Sequence, residues 1–456
     1  MYFLGRSQLR LARSIVVAIL LAILPSAMLA AEDHAEDHAG HDHAHDEVRH
    51  APQTPQDAIH DHGDAPPRLA GGQPIVHQVN MSLDVRTVAG ASTATDTQIS
   101  GLKLGAHDPK RRGFTLQEAE LSLSGSVDRW LDAQAYIVST PDGIELEEAF
   151  ATTAGRPYGL RLKAGYYLAD FGVINPKHPH EWLWLDQPLA NGRILGPDGM
   201  RGGGAGISYL IERPWRSELQ VAAHSADDPT MVSFLGREEG SAATIGGRPA
   251  IDKTTRSMAD LVWVARWSNS VSSDRVRANL GMSGAIGPNA TGPGGKTMLG
   301  GLDAGLTWRS SGGRPLASLQ VEWIFRDFAA DESIDPGDGT VVPSQTLVDQ
   351  GVGIQLLVHP APDWEVGLRW EYATARGDDY VLADPVAVVP GSFTDRGKGA
   401  LRDDRMRVSP LIAWRPSEHA KLRLQYDYDR ADHLAGDVAH SAWLGLEILI
   451  GAHRDH

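Results

Sequence analysis

The chain has 456 residues, a formal net charge of −16 and no cysteine. That length suits two or three ordinary domains or one large barrel. The acidic balance argues against nucleic acid, because a phosphate-binding surface needs clustered Lys and Arg. Lack of cysteine excludes disulfides, thiolate metal sites, cysteine nucleophiles and lipoprotein attachment.

Residues 1–30 read as a secretory signal. Arg6, Arg10 and Arg13 form a basic region, residues 15–24 are an unbroken apolar run, and Ala30 is the expected last residue before cleavage. The run falls short of the roughly twenty residues needed to cross a bilayer as a helix. No later stretch reaches that length either, which excludes a bundle of transmembrane helices.

Residues 31–72 form a second region, built largely from His, Asp, Glu, Ala and Pro. Such a segment buries too little apolar area to offset its conformational entropy, so a disordered tail is expected. His34, His38, His41, His43, His45, His50, His60 and His62 are interleaved there with carboxylates. Neutral imidazole is a ligand for zinc, copper and nickel, and adjacent carboxylates add charge, so the tail is a candidate strip for loose metal capture. A solvated polar spacer is the plainer alternative.

From about residue 73 to 456 the texture changes to short alternating stretches punctuated by Gly, Pro, Asp and Asn. Val79, Met81, Leu83 and Val85 alternate with Asn80, Ser82 and Asp84. Leu160, Leu162, Ala164, Tyr166 and Leu168 alternate with Arg161, Lys163 and Gly165, and Leu422, Leu424, Tyr426 and Tyr428 with Lys421, Arg423, Gln425 and Asp427. Period two puts the apolar set on one face and the charged set on the other.

About sixteen such strands are expected, within a range of 14–18, and their connections alternate in length. Short turns fall at 127–129, 154–158, 213–216, 269–274, 310–314, 360–363 and 415–419. Longer loops fall at 89–112, 169–202, 226–258, 287–297, 327–346, 375–404 and 430–439, with 140–144 the one short member of that side. This is the pattern of an antiparallel up-and-down transmembrane β-barrel with its termini on the short-turn, periplasmic side. All twelve Trp lie in this region. Trp130, Trp215, Trp263, Trp267, Trp308, Trp364, Trp370, Trp414 and Trp443 sit near strand ends, where indoles would form interfacial girdles.

The longest loop near the middle starts at Ala169 and is rich in Trp and Leu, which suits packing inside the lumen. His178, His180, Glu181 and Asp186 are close enough in sequence to converge on one cation, or to satisfy loop hydrogen bonds. Gly202, Gly203, Gly204 and Gly206 then open the next strand and permit close approach. Arg161, Lys163, Arg275, Arg277, Arg369, Arg405, Arg407, Lys421 and Arg423, opposite Glu118, Glu120, Glu322, Glu365 and Glu371, are expected to line a charged lumen. There is no nucleophile elbow, HExxH or phosphate loop, so an enzyme is not expected.

The loop carrying Phe171, Gly172, Asn175, His178, His180, Trp182, Asp186, Pro188 and Leu189, with the closing Gly451, Ala452 and His453, resembles a porin-like bacterial outer-membrane family labelled zinc-regulated TonB-dependent outer membrane receptor. The resemblance implies an outer-membrane barrel linked to zinc. Two departures stand out: a TonB-dependent receptor carries a plug of well over a hundred residues, and the final residue here is His456 rather than an aromatic. Leu446, Ile448 and Ile450 are then the candidates for recognition by the barrel-assembly machinery.

The expectation is a plugless outer-membrane channel of a Gram-negative bacterium, with its His-rich tail in the periplasm. It would pass small hydrophilic solutes or metal ions, require no cofactor, take zinc or a similar divalent metal, and form homotrimers by analogy. A closed barrel anchoring a metal-buffering tail and an outer-membrane hydrolase are the alternatives.

Overall fold

The computed structural model describes residues 79–237, 241–393, 401–434 and 436–451. The signal and the histidine tail lie outside them, as do Ala452, His453 and His456. The described chain is a closed barrel of sixteen antiparallel strands, each hydrogen-bonded to its sequence neighbours. These are β1 (Asn80–Ser92), β2 (Gly113–Ser126), β3 (Leu131–Thr140), β4 (Gly143–Thr153), β5 (Leu160–Leu168), β6 (Arg201–Ile211), β7 (Arg216–Ser225) and β8 (Leu261–Ser272). They continue as β9 (Val276–Pro288), β10 (Lys296–Arg309), β11 (Pro315–Ala330), β12 (Gln345–Ala361), β13 (Trp364–Arg376), β14 (Arg405–Ser417), β15 (Ala420–Ala431) and β16 (Val438–Gly451).

Closure comes from β1 pairing antiparallel with β16, in a register that sets Asp84 against Leu449 and Arg86 against Glu447. A spanning sheet needs this, because an open edge in hydrocarbon would leave backbone groups unsatisfied. No helix among the described residues is long and apolar enough to cross a membrane; the crossing is made by strands. The expected strand count and the separation of short turns from long loops both hold. The two long ones used below are L1 (93–112) and L3 (169–200). Two small hairpins, Ser333–Ile334 with Val341–Val342 and Tyr380–Val381 with Ser392–Phe393, stand on the loop side.

Alternation sorts the side chains as the sequence pattern requires. Met81, Leu162, Ile207, Leu219, Met282, Leu368, Ile412, Leu424, Leu444 and Ile448 are exposed on the outside, whereas Arg86, Glu118, Glu120, Arg369, Arg407, Arg423 and Asp427 are buried within. An apolar exterior around a charged interior is the inverse of a soluble protein, and it suits lipid outside and water inside. Trp130, Trp215, Trp308, Trp364 and Trp414 are exposed at the short-turn end. Trp364 and Trp414 are cross-strand partners whose rings stack at 6.0 Å.

Two expectations need correction. Trp443 is no girdle residue: it is fully buried on the inward face of β16, donating its indole N–H to Asp427 Oδ2 at 3.0 Å. Arg275 sits exposed in the turn between β8 and β9, because it precedes the strand whose alternation would have turned it inward.

The outward set makes a direct test of membrane burial. Leu424→Arg, near the middle of β15, should cost roughly 2–4 kcal/mol of stability in lipid vesicles. The same change at exposed Glu418 in the adjoining turn should cost almost nothing, as read from paired urea unfolding curves.

Candidate channel constriction

L3 folds back into the barrel and is tied to the wall at three places around the ring. Its neck is closed by Asn175, whose amide donates to the carbonyls of Ala169 (2.8 Å) and Met200 (3.0 Å) and accepts from Met200 N–H (2.7 Å). The first wall contact follows at once. Gly172 N–H donates to Ser283 Oγ on β9 at 3.0 Å, and Val173 N–H to Glu322 Oε1 on β11 at 2.7 Å. Gly172 has φ of +67°, and a Cβ there would lie 2.1 Å from Glu322 Oε1, so a side chain is barred on both counts.

The second contact lies on the β2–β4 wall. His178 Nδ1 faces Glu147 Oε2 at 3.0 Å and Glu120 Oε2 at 3.2 Å, while its Nε2 faces Glu148 Oε2 at 2.8 Å. His180 Nδ1 is 3.3 Å from the same Glu120 oxygen. Tyr136 stacks on the His178 ring with centroids 4.1 Å apart. Alternation alone would turn only one of two consecutive residues inward. A β-bulge between Tyr136 and Ile137 in the β3–β4 pairing leaves Glu147 without a partner, so that Glu147 and Glu148 are both buried inside. A matching bulge in β1–β2 does the same for Gln117 and Glu118.

The third contact is centred on Asp186. Its carboxylate accepts from Lys103 Nζ at 2.8 Å, Arg369 at 2.6 Å and Arg407 at 2.6 Å, and also from the Gln425 amide at 2.7 Å. Burial by itself would raise the Asp186 carboxyl, but Arg369, Lys103 and Arg407 hold it well below the usual carboxylate range. Lys103 is delivered by L1. There α1 (Asp96–Leu102), capped by Thr95 and Gln98, packs Ile99 and Leu102 inward and ends against Arg405 and Arg407, which donate to the Gly101 and Leu102 carbonyls. Around this point Trp184 donates to Ser409 O, Leu185 N–H to Gln425 and Leu189 N–H to Glu371. The short helix α2 (Leu189–Ile194) then returns the chain toward β6.

Room for L3 comes from glycines at inward strand positions. A Cβ at Gly301 would meet Phe171 at 3.1 Å, at Gly351 Ala190 at 2.7 Å, at Gly367 Trp184 at 3.0 Å, and at Gly445 Leu185 at 2.3 Å. What L3 leaves open is a cavity of about 120 Å³ along β7–β12. Lys177, Glu181 and Trp182 border it from the loop, and Glu218, Arg266, Asp303 and Gln320 from the wall, with Arg266 bonded to Asp303 at 2.7 Å.

The four loop residues expected to meet one cation are thus divided. His178 and His180 face the β2–β4 carboxylates, Glu181 borders the cavity, and Asp186 is committed to three cations on the far side. Burial opposes charge on both histidines, yet nearby carboxylates outweigh it. Glu120 and Glu147 hold His178 well above its ordinary range, and Glu120 raises His180 to about 9. Of the expected lumen charges, Glu118, Glu120, Glu322, Glu365, Glu371, Arg369, Arg405, Arg407, Lys421 and Arg423 are all buried. Sequence reasoning missed Lys103, Glu147, Glu148, Arg266 and Asp303. The consecutive acids 147–148 interrupt the alternation and were a readable sign of a bulge.

The structure is a closed antiparallel barrel with an infolded loop, and comparison with known proteins finds the same fold. No family model matches the chain. It is 24% identical over 355 residues to an uncharacterised protein of Aquifex aeolicus (strain VF5), covering 76% of this chain and 70% of that one. Among solved structures, the outer membrane channel DcaP of Acinetobacter baumannii matches with a TM-score of 0.50 at 12% identity, over 84% of this chain and all of that one. An anion-selective porin from Comamonas acidovorans gives 0.48 at 10% identity over 82% of this chain. At such identities the likeness is one of fold.

Removing the central anion takes one partner from each of three buried cations, while Lys103 keeps Asp427, Arg369 keeps Glu371 and Arg407 keeps Asp429, so the cost should stay below the roughly 3–5 kcal/mol of a fully broken buried pair. Asp186→Asn should therefore free the tip of L3 while the barrel still assembles. Protease cleavage within 182–190 of the folded protein should rise sharply, with no change in strand content by circular dichroism.

Proposed function

We propose that this chain is an outer-membrane channel of a Gram-negative bacterium, passing small hydrophilic solutes or metal ions down their gradients. The observation that carries the reading is the lumen: a charged interior narrowed by L3 to a cavity between Lys177 and Glu181 on one side and Arg266 and Asp303 on the other. Fixed charges of both signs along a narrow wet path favour hydrated, polar cargo. Passive passage is preferred to energy-coupled uptake because, among the described residues, the barrel's own loops narrow the lumen and no plug does. The apolar exterior makes outer-membrane lipid and the barrel-assembly machinery its partners, and a homotrimer belongs to the reading by analogy with sixteen-stranded porins.

The second reading, a closed barrel that anchors a metal-buffering tail, draws on how much of the lumen L1 and L3 fill. Single-channel recording in planar bilayers separates the two. The channel reading expects small ohmic steps, and Asp303→Asn, which unbalances Arg266, should move the reversal potential toward anion preference. A correctly folded barrel that passes no current overturns the channel and leaves the anchor.

The zinc link belongs to this proposal through the eight tail histidines, His34 to His62, placed in the periplasm. Loose binding there would raise the local concentration of zinc or a similar cation at the periplasmic mouth. Deleting residues 32–64 should lower the metal retained per barrel while heat-modifiable migration and conductance stay the same. Unchanged metal retention would remove the tail from the account.

A further inference from the structure

We propose that Glu120, Glu147 and His178 form a site for one divalent transition-metal ion, zinc or an ion of similar preference, at the base of L3. Their three ligand atoms are mutually close, all within 4.8 Å of one another. His178 Nδ1 stands 3.0 Å from Glu147 Oε2 and 3.2 Å from Glu120 Oε2. A tetrahedral ion with bonds of about 2.0–2.1 Å places its ligands about 3.3 Å apart. His178 Nδ1 already stands at nearly that distance from both oxygens.

The surroundings supply an independent reason. His178 Nε2 is 2.8 Å from Glu148 Oε2, and the other Glu148 oxygen accepts the Leu168 N–H at 2.6 Å, so this carboxylate is fixed by the backbone. With Glu148 as acceptor of the Nε2 proton, Nδ1 is left as the ligand, an arrangement recurrent at metal-bound histidines. With Nε2 carrying the proton, the Nδ1 lone pair points at two carboxylate oxygens, which is favourable only with a metal ion or a second proton between them. His180 Nδ1, 3.3 Å from Glu120 Oε2, steadies the same ligating oxygen. Arg201 lies 3.5 Å from Glu147 Oε1 and also pairs with Glu145, orienting the second carboxylate. Tyr136, stacked on the imidazole, fixes its plane.

One imidazole with two carboxylate oxygens suits zinc, nickel, copper or cobalt, and three protein ligands leave the fourth position to water. A small cavity lined by Glu147, His107, Asn175 and Asp198 adjoins the cluster and gives a path for exchange. The bulge at Glu147 is what assembles the set, since regular alternation would turn that carboxylate to lipid. A metal here would bridge L3 to β2 and β4 and so pin the loop that sets the constriction. The site goes beyond the channel reading and does not need the barrel to conduct.

The rival occupant is a proton on His178 Nδ1. Both are tested in the full-length chain with the eight tail histidines replaced by serine, folded in detergent and titrated with Zn²⁺, or with Co²⁺ as an optical probe. The expected result is one ion per barrel with the visible absorption of low-coordinate cobalt, and affinity at least about tenfold weaker in Glu120→Gln and in His178→Gln. Glu147→Gln is the further variant should either of these not fold, folding being read from heat-modifiable migration. Failure of the folded parent to bind one ion, or equal binding in the folded variants, overturns the site and leaves the proton. Conductance recorded on the same samples reports separately on the channel.

Discussion

A buried carboxylate at the centre of the barrel decides how this molecule is built. Asp186 lies at the tip of L3 and is met by Lys103 from L1 and by Arg369 and Arg407 from the wall. A loop could not otherwise stay inside a water-lined tube, because its peptide groups are equally well satisfied by solvent. Three cations that share this anion, each also held by a wall carboxylate (Lys103 by Asp427, Arg369 by Glu371, Arg407 by Asp429), make the inside position the favoured one, and taking the shared anion away is costly. L1 is bound to the same point, since α1 is followed by Lys103 and ends on Arg407 and its neighbour Arg405.

The rest of the interior accommodates that choice. The wall gives up side chains at Gly301, Gly351, Gly367 and Gly445, and the space is filled by Phe171, Ala190, Trp184 and Leu185. Two bulges add inward polar groups, Gln117 and Glu147, at places where the regular pleat offers none. The open space is left on the β7–β12 side, where L3 makes fewer commitments. Position of the loop, width of the passage and occupancy of the His178 cluster are therefore one linked problem: a change at any of the three wall contacts moves the same segment.

The barrel was legible in the sequence because two independent patterns agreed. Period-two alternation gave the strands their faces, and the segregation of short turns from long loops gave their order. The Trp and Leu content of 169–200 pointed inward for the simple reason that such residues do not favour solvent. The partners of His178 and Asp186 were not legible, because they come from strands up to 239 residues away in the chain. Nearness in sequence suggested that His178, His180, Glu181 and Asp186 meet; an extended loop crossing a lumen instead carries residues eight apart to different walls. Trp443 misled for a related reason, since an indole near a strand end fits a girdle until the inward glycine opposite it, Gly90, is seen. Glycines at inward strand positions and the Glu147–Glu148 doublet held readable information about where L3 docks.

The central claim is that L3 is fixed inside the barrel against the far wall, and the cysteine-free chain permits a clean measurement. Ala190 on α2 touches Gly351 on β12, with Cβ positions 2.7 Å apart. Cysteines at both positions come within reach of a disulfide, whose Cβ atoms lie about 3.5–4.5 Å apart, after a small outward shift. Mild oxidation of the folded Ala190→Cys/Gly351→Cys protein in membranes should close the bond nearly completely and leave neither thiol open to a water-soluble maleimide. Two thiols that stay reduced and label freely in a fully folded barrel would contradict the account.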